Sequence, residues 1–508
     1  MSELYLSGTL REVENRALSR AEPLALMSRA AAALAEVCTR RLRQSRPGLP
    51  IIALVGPGNN GADALLAALM MRQRGFDARA LVLDALSPVA SDAAQVRAMA
   101  RSADLALGEI LPDSRGAEDA LFIDGLFGIG LSRPLQGRAR QWVDALNDSG
   151  AIIIAADVPS GLDANTGSIV GGAQGSAIRA TATVTFIGDK PGLHTGAGTD
   201  RSGHVYVDSL RLDPGDRDGT LLSSIDAVGL ARPLCRVRDS HKGSYGQVGV
   251  LGGIAGMQGA SLLAALGAQH AGAGKVFVVA PEGRPPFIQS APQLMTRDAT
   301  DGLYDAKAIA VGCGLGQASH SARLLALALA CPDASLVIDA DALTLLSRRA
   351  DLRRRLAARK GACVLTPHPL EAARLLGTDA STVQSDRIAA AKRLARRYAA
   401  IVVLKGSGSV IASPSGEWAI CSAGSASLAS AGTGDVLAGL IAGLMAQGLA
   451  PAHAACLGVW VHARAGEAWA ETHAGETGLS AGELPLAIRS VLNHLTAARG
   501  GYPSSISA

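Results

Sequence analysis

The strongest constraint on the fold is a repeated unit: a short apolar run, a glycine-rich turn, then a longer apolar stretch at helical spacing. Pro50-Ile51-Ile52-Ala53-Leu54-Val55 has no polar residue on either face, so it reads as a strand buried on both sides. The turn Gly56-Pro57-Gly58-Asn59-Asn60-Gly61-Ala62-Asp63 follows, then a helix predicted over 64–74 and a strand over 78–84. That order is the β-α-β unit of an open parallel sheet. Ahead of it, residues 9–45 read as a helical lead-in. The rhythm returns beyond residue 220, with strands predicted over 247–251, 275–280, 308–311, 336–339, 364–366 and 401–404, each running into a loop, and a hairpin over 410–421. The class is therefore α/β. A chain of 508 residues is too long for one ordinary core. The polar segment 211–220 carries Pro and Gly without a hydrophobic period and is expected to link a domain of residues 1–220 to one of 221–508.

Composition removes several classes of function. A formal net charge of +4 over this length gives no field to attract nucleic acid or an anionic membrane, and aromatics at 3% leave few platforms for stacking bases. The basic runs 348–360 and 387–397 are expected as solvated helix faces. The cysteines are scattered with no Cys-x-x-Cys pair, which predicts free thiols in a reducing compartment and no zinc site. The N-terminus lacks a basic start followed by an apolar core, and the longest apolar stretch, near 436–446, is about half of what a bilayer requires. A soluble, cytoplasmic protein is expected.

Chemistry concentrates at the ends of the predicted strands. In Ser430-Ala431-Gly432-Thr433-Gly434-Asp435-Val436-Leu437-Ala438-Gly439 a glycine turn enters a helix near Asp435. A helix N-terminus attracts anions, and a carboxylate there is placed to take a proton from a hydroxyl attacking phosphorus. A plain helix cap is the competing reading. Lys405, beside Gly406 and Gly408, would hold a nucleotide phosphate, with a surface lysine in a turn as the competing reading; no Walker loop occurs. In the first half Asn60, Asp124, Asp157 and Ser160 all follow predicted strands, and so few carboxylates among hard oxygen ligands suit a monovalent cation. The turn at 56–61 also formally matches G-x-G-x-x-G, with Asp84 placed as a ribose-binding acid, so a nicotinamide dehydrogenase is an alternative.

Several motifs in order resemble a known family. Asn59–Asp63, Asp124–Pro134, Asp157–Leu162 and Thr185-Phe186…Lys190-Pro191-Gly192 are similar to the YjeF N-terminal domain, the NAD(P)H-hydrate epimerase. Lys242–Val248, Gly314-Leu315-Gly316, Asp339–Leu343, Thr366–Glu371, Lys405-Gly406 and Ala431–Asp435 resemble the YjeF C-terminal, ribokinase-like NAD(P)H-hydrate dehydratases. The resemblance implies a Rossmann-like three-layer α/β/α domain followed by a ribokinase-like α/β domain. It implies epimerase substrate contacts at Asn59, Asn60, Gly61, Ala62, Asp63, Gly128, Ile129, Gly130, Leu131, Ser132, Arg133, Pro134 and Asp157, with Asp157 catalytic, and potassium at Asn60, Asp124 and Ser160. For the dehydratase it implies substrate contacts at Ala260, Gly316, His368 and the catalytic Asp435, with the nucleotide at Lys405, Gly406, Ser407, Gly408, Ser409 and Gly434. Implied partners are NADHX or NADPHX, ADP or ATP with Mg2+, and K+, in a homo-oligomer. A small-molecule kinase with a non-catalytic N-terminal binding module is the alternative. One departure stands out: the family's usual Asn-Asn-Gly-Gly-Asp-Gly is here Asn59-Asn60-Gly61-Ala62-Asp63-Ala64. Were Ala62 to need a positive φ, the strain would be about 1 kcal/mol, and the two methyls would narrow the pocket and impair epimerisation.

Overall fold

The computed structural model describes residues 2–20, 22, 24–44, 46–83, 91–111, 117–282, 288–298, 303 and 305–497. Two compact units divide it, 2–220 and the chain from 221 onward. Asp84, the ribose-binding acid of the dehydrogenase alternative, lies outside the described residues.

The first unit is built on a seven-stranded sheet. Its order is Leu107–Gly108, Ala78–Val82, Ile51–Val55, Leu121–Gly125, Ile152–Ala156, Ala182–Phe186 and His204–Asp208, every pairing parallel. Successive side chains of a strand face opposite sides. Accordingly Ile51, Ala53 and Val55 join one core with Leu34 and Leu65, from the helices Ala25–Gln44 and Asn59–Gln73. Ile52 and Leu54 join another with Trp142 and Leu146, from the helix Gly137–Ser149. The result is three layers. The chain moves outward from Ile51–Val55 to one edge, then returns to lay Leu121–Gly125 on its other side. The loops after these two strands therefore part around a crevice, where ligands of such sheets bind.

The helix after the first strand starts at Asn59, earlier than the sequence pattern suggested. Alanines at 62 and 64 favour helix over turn, so Asn59–Asp63 form its opening turn. Ala62 keeps an ordinary negative φ. The strain considered for it does not arise, and both methyls lie in the core, 3% and 0% exposed. The segment 211–220 is also tied down: Asp218 Oδ2 accepts from Leu6 N and Thr9 Oγ1, each at 2.8 Å.

In the second unit the strands Gln247–Leu251, Lys275–Val279, Met295–Arg297, Ala308–Val311, Ser335–Ile338, Cys363–Leu365 and Ile401–Leu404 pair in parallel. Ser409–Ala412 and Trp418–Cys421 add the expected antiparallel hairpin. Gln247–Leu251 lies between Lys275–Val279 and Ala308–Val311, so this sheet also reverses direction, at the loops 252–256 and 312–316. The helices Gln258–His270 and Thr433–Ala446 pack against each other at very short range. A Cβ on Gly439 would fall onto the Ala264 carbonyl. Gly439→Val is therefore expected to cost about 3 kcal/mol by overpacking, seen as a lower urea midpoint for this unit with an unchanged m-value.

The helix Arg387–Tyr398 corrects one expectation. Most of its basic face is solvated, but Arg387 is 1% exposed. Its guanidinium donates to the carbonyls of Leu404 and Lys405, both at 3.2 Å, and so braces the loop after Ile401–Leu404 from beneath. Among the described residues no helix is long and apolar enough to cross a membrane.

Candidate functional site

Each unit gathers its polar residues at the point where its sheet reverses. In the first, the crevice opens into a cavity of about 1480 Å³. Asn59, Asn60, Asp63, Asp157 and the run Gly128–Pro134 line it; Gly61 and Ala62 are buried in the helix away from its wall.

Behind the lining residue Phe127, whose N donates to Ser160 Oγ at 2.9 Å, Asp124 is fully buried and Ser160 is 1% exposed. The Asp124 carboxylate accepts from Ser160 Oγ at 2.6 Å and Ser160 N at 2.8 Å. Burial nevertheless pushes its pKa up to about 6, against the pull of those bonds. Close by, the Asn60 side chain lies against Gly128, and its Nδ2 is buried without a hydrogen-bond partner. A buried carboxylate with no opposite charge acting on it among the described residues fits a small cation held by oxygen ligands; the Asn60 Nδ2, a donor, could only bond a water of its shell.

Asp157 sits on the opposite wall with φ 63°, a left-handed conformation unusual for a non-glycine residue. What holds it there is Lys190, whose Nζ donates to Asp157 Oδ1 at 2.7 Å. Phe186 N and Thr185 Oγ1 reach the same oxygen at 3.1 and 3.3 Å. Lys190 is itself 1% exposed and donates further to Thr185 Oγ1 at 2.7 Å and the Phe186 carbonyl at 3.1 Å. Facing this pair are Asp63 and, from the helix Ser7–Leu18, Glu14. Burial, then the charges of Asp157 and Glu14, push the Asp63 carboxyl well above its usual range; burial and Asp157 also raise Glu14.

In the second unit Asp435 lies in the first turn of Thr433–Ala446, whose N-cap is Gly432 at φ 90°. No side chain caps this end, so its first N–H groups are available to an anion. Asp435 is turned toward polar neighbours. It accepts from the Cys313 thiol and feels Asp339, Lys405 and Asp341, with burial raising its pKa to about 6. Lys405 Nζ donates to Asp339 Oδ1 at 2.8 Å and lies beside Gly434, where a Cβ would come within 3.2 Å. Burial works to lower the Lys405 pKa, but Asp339 and Glu371 raise it above the usual value, keeping the ammonium charged.

The glycine loop 312–316 closes over this group. Gly316 N donates to Asp341 Oδ2 at 2.8 Å, and Gly314 lies close to Ala260. His368 caps the helix Pro369–Leu376, its Nδ1 accepting from Leu370 N at 3.1 Å and Glu371 N at 3.4 Å. Burial and Lys405 lower its pKa, so the imidazole is neutral with its proton on Nε2. Gly406 and Ser407 are exposed, whereas Gly408 is buried at the start of the strand Ser409–Ala412.

Comparison with known proteins agrees with this division into two centres. A family model described as NAD(P)H-hydrate dehydratase matches residues 248–485, and one described as YjeF-related protein N-terminus matches 23–192. The bifunctional NAD(P)H-hydrate repair enzyme of Coxiella burnetii is 35% identical over 97% of this chain and 100% of its own. The chain belongs to the bifunctional NAD(P)H-hydrate repair enzyme family. Its namesake from Escherichia coli K12 is 36% identical over 92% of this chain and 89% of its own. The ADP-dependent (S)-NAD(P)H-hydrate dehydratase of Neisseria meningitidis is 43% identical over 51% of this chain and 90% of its own.

Some residues of this repair-family chain that shape the two centres carried no separate signal in the sequence. Glu14 sits on a segment read only as a helical lead-in. Lys190 marked only a motif, and its ion pair with Asp157 spans residues far apart in the chain. Cys313 was one of the scattered cysteines expected as free thiols. His462, in the middle of the helix Pro451–Thr472, meets the Thr433 carbonyl through Nε2 at 2.9 Å, and burial lowers its pKa to about 4.

Proposed function

We propose that the protein repairs hydrated NADH and NADPH: the first unit interconverts the R and S hydrates, and the second removes water from the S hydrate at the expense of ADP. The observation that carries this reading is the uncapped, glycine-lined end of Thr433–Ala446 holding Asp435 beside the Lys405–Asp339 pair. Hydroxide is a poor leaving group and phosphate a good one. Asp435 takes the proton of the ring hydroxyl as its oxygen bonds to the terminal phosphorus of the nucleotide, with AMP departing. The helix N–H groups and Lys405 receive the developing charge. The ring nitrogen then expels phosphate, and loss of a proton from the neighbouring carbon restores the dihydronicotinamide.

Ala260, Gly316 and His368 border the ring, and Lys405–Ser409 with Gly434 hold the phosphates. Mg2+ keeps most of its water and needs only one or two carboxylates, which Asp339 and Asp341 offer beside those phosphates. In the first unit Asn59, Asn60, Asp63, Gly128–Pro134 and Asp157 contact the substrate, whereas Gly61 and Ala62, buried away from the cavity, serve the helix. Asn60, Asp124 and Ser160 would hold potassium, which would supply a fixed positive charge behind the cavity wall. The protein acts in the cytoplasm, as a homo-oligomer.

The test mixes the full chain with both epimers and ADP or ATP. Complete recovery of reduced coenzyme with release of phosphate supports the reading. A stable phosphorylated product supports the small-molecule kinase instead. A pH profile gives a second check. Asp435 accepts a proton only when ionised, and burial raises its pKa to about 6. Dehydration is therefore expected to fall as pH drops through about 6, not through 4, and a rate that holds level down to pH 5 counts against Asp435 as the base.

A further inference from the structure

The cavity of the first unit holds two carboxyls, Asp63 and Glu14, that neither cation binding nor the Asp157–Lys190 pair accounts for. They reach it from separate elements, Glu14 from Ser7–Leu18 and Asp63 from Asn59–Gln73. The charged groups around them are Asp157, Lys190 and Arg11, whose guanidinium also donates to the Ile129 carbonyl at 2.9 Å. Resting on the epimerase reading above, we infer that Asp63 and Glu14 are the proton-transfer residues of epimerisation, one working as acid while the other works as base.

The chemistry balances without an added reagent. Asp63 gives its proton to the ring hydroxyl as the C–O bond breaks, and the electron pair of the ring nitrogen forms a C=N bond. The products are water and an iminium cation. Asp157, anchored by Lys190, faces that cation as a fixed negative charge. Water then adds to the other face of the same carbon and loses its proton to Glu14. Proton return from Glu14 to Asp63 resets the site, and exchanging the two roles runs the reaction backward. Two carboxyls whose surroundings separate their proton affinities suit such paired roles. Burial and two neighbouring negative charges favour the neutral acid at Asp63; Lys190 and Arg11 pull Glu14 back toward the carboxylate.

The experiment uses the full chain and a single epimer, following interconversion without nucleotide between pH 5 and 9. Wild type is expected to give a bell-shaped profile. Asp63→Asn should remove the alkaline limb and Glu14→Gln the acid limb, each slowing interconversion about 10²-fold. ADP-dependent dehydration of the S epimer, measured on the same molecules, should stay within about twofold, and a far-ultraviolet spectrum and thermal unfolding like those of wild type show that the first unit has folded. A flat wild-type profile, or wild-type rates in both variants, overturns the inference. A wild type that does not speed interconversion at all overturns the epimerase reading and the inference with it.

Discussion

Asp435→Asn will reduce nucleotide-dependent dehydration by about 10²-fold or more while leaving interconversion of the epimers intact. The amide fills the same space and still accepts from the Cys313 thiol, so the helix Thr433–Ala446 keeps its place in the core. What is lost is the ability to take a proton in a pocket where Lys405 and the helix end have already collected positive charge. Melting should shift little, and any shift should be upward. The buried carboxyl has its pKa raised on folding, so its ionised form opposes folding above the unfolded pKa, and that penalty disappears with the charge. Near-normal turnover by the variant would remove Asp435 from the chemistry.

Asp157→Ala will abolish epimerisation and also destabilise the first unit, by about 3 kcal/mol, because it leaves the ammonium of Lys190 buried without a counter-charge. The two effects can be separated. Replacing both partners, Asp157→Asn with Lys190→Met, removes the stranded charge and should recover most of the stability without recovering activity. Thermal unfolding of both variants, alongside ADP-dependent dehydration of the S epimer, reads the outcome. Activity in the double variant would show that Asp157 shapes the wall and nothing more.

The strand-end motifs were legible because parallel sheets impose them. A strand buried on both faces must be apolar throughout, and the chain leaving it must turn at once. Polar residues kept at those turns, such as Asp124, Asn60 and Asp435, therefore advertise the site. Helix onsets were less legible. The glycines at 56–61 resembled an extended loop, but Ala62 and Ala64 let the helix begin at Asn59, and their methyls went into the core rather than the pocket. Arg387 failed as a surface residue because only the loop packed over it, far along the chain, supplies carbonyls that satisfy a buried guanidinium.

By itself the sequence determined the α/β class, the turns at the strand ends and the motifs that lead to the family, since local apolar pattern and glycine placement act over a few residues; the strand order that reverses each sheet came only with the fold. Tertiary structure alone decided the electrostatics. Asp157 meets Lys190, Glu14 faces Asp63, and Cys313 meets Asp435 only once separate elements pack together. Proton affinity depends on burial and on charges a few ångströms away, and neither exists in the chain until it folds.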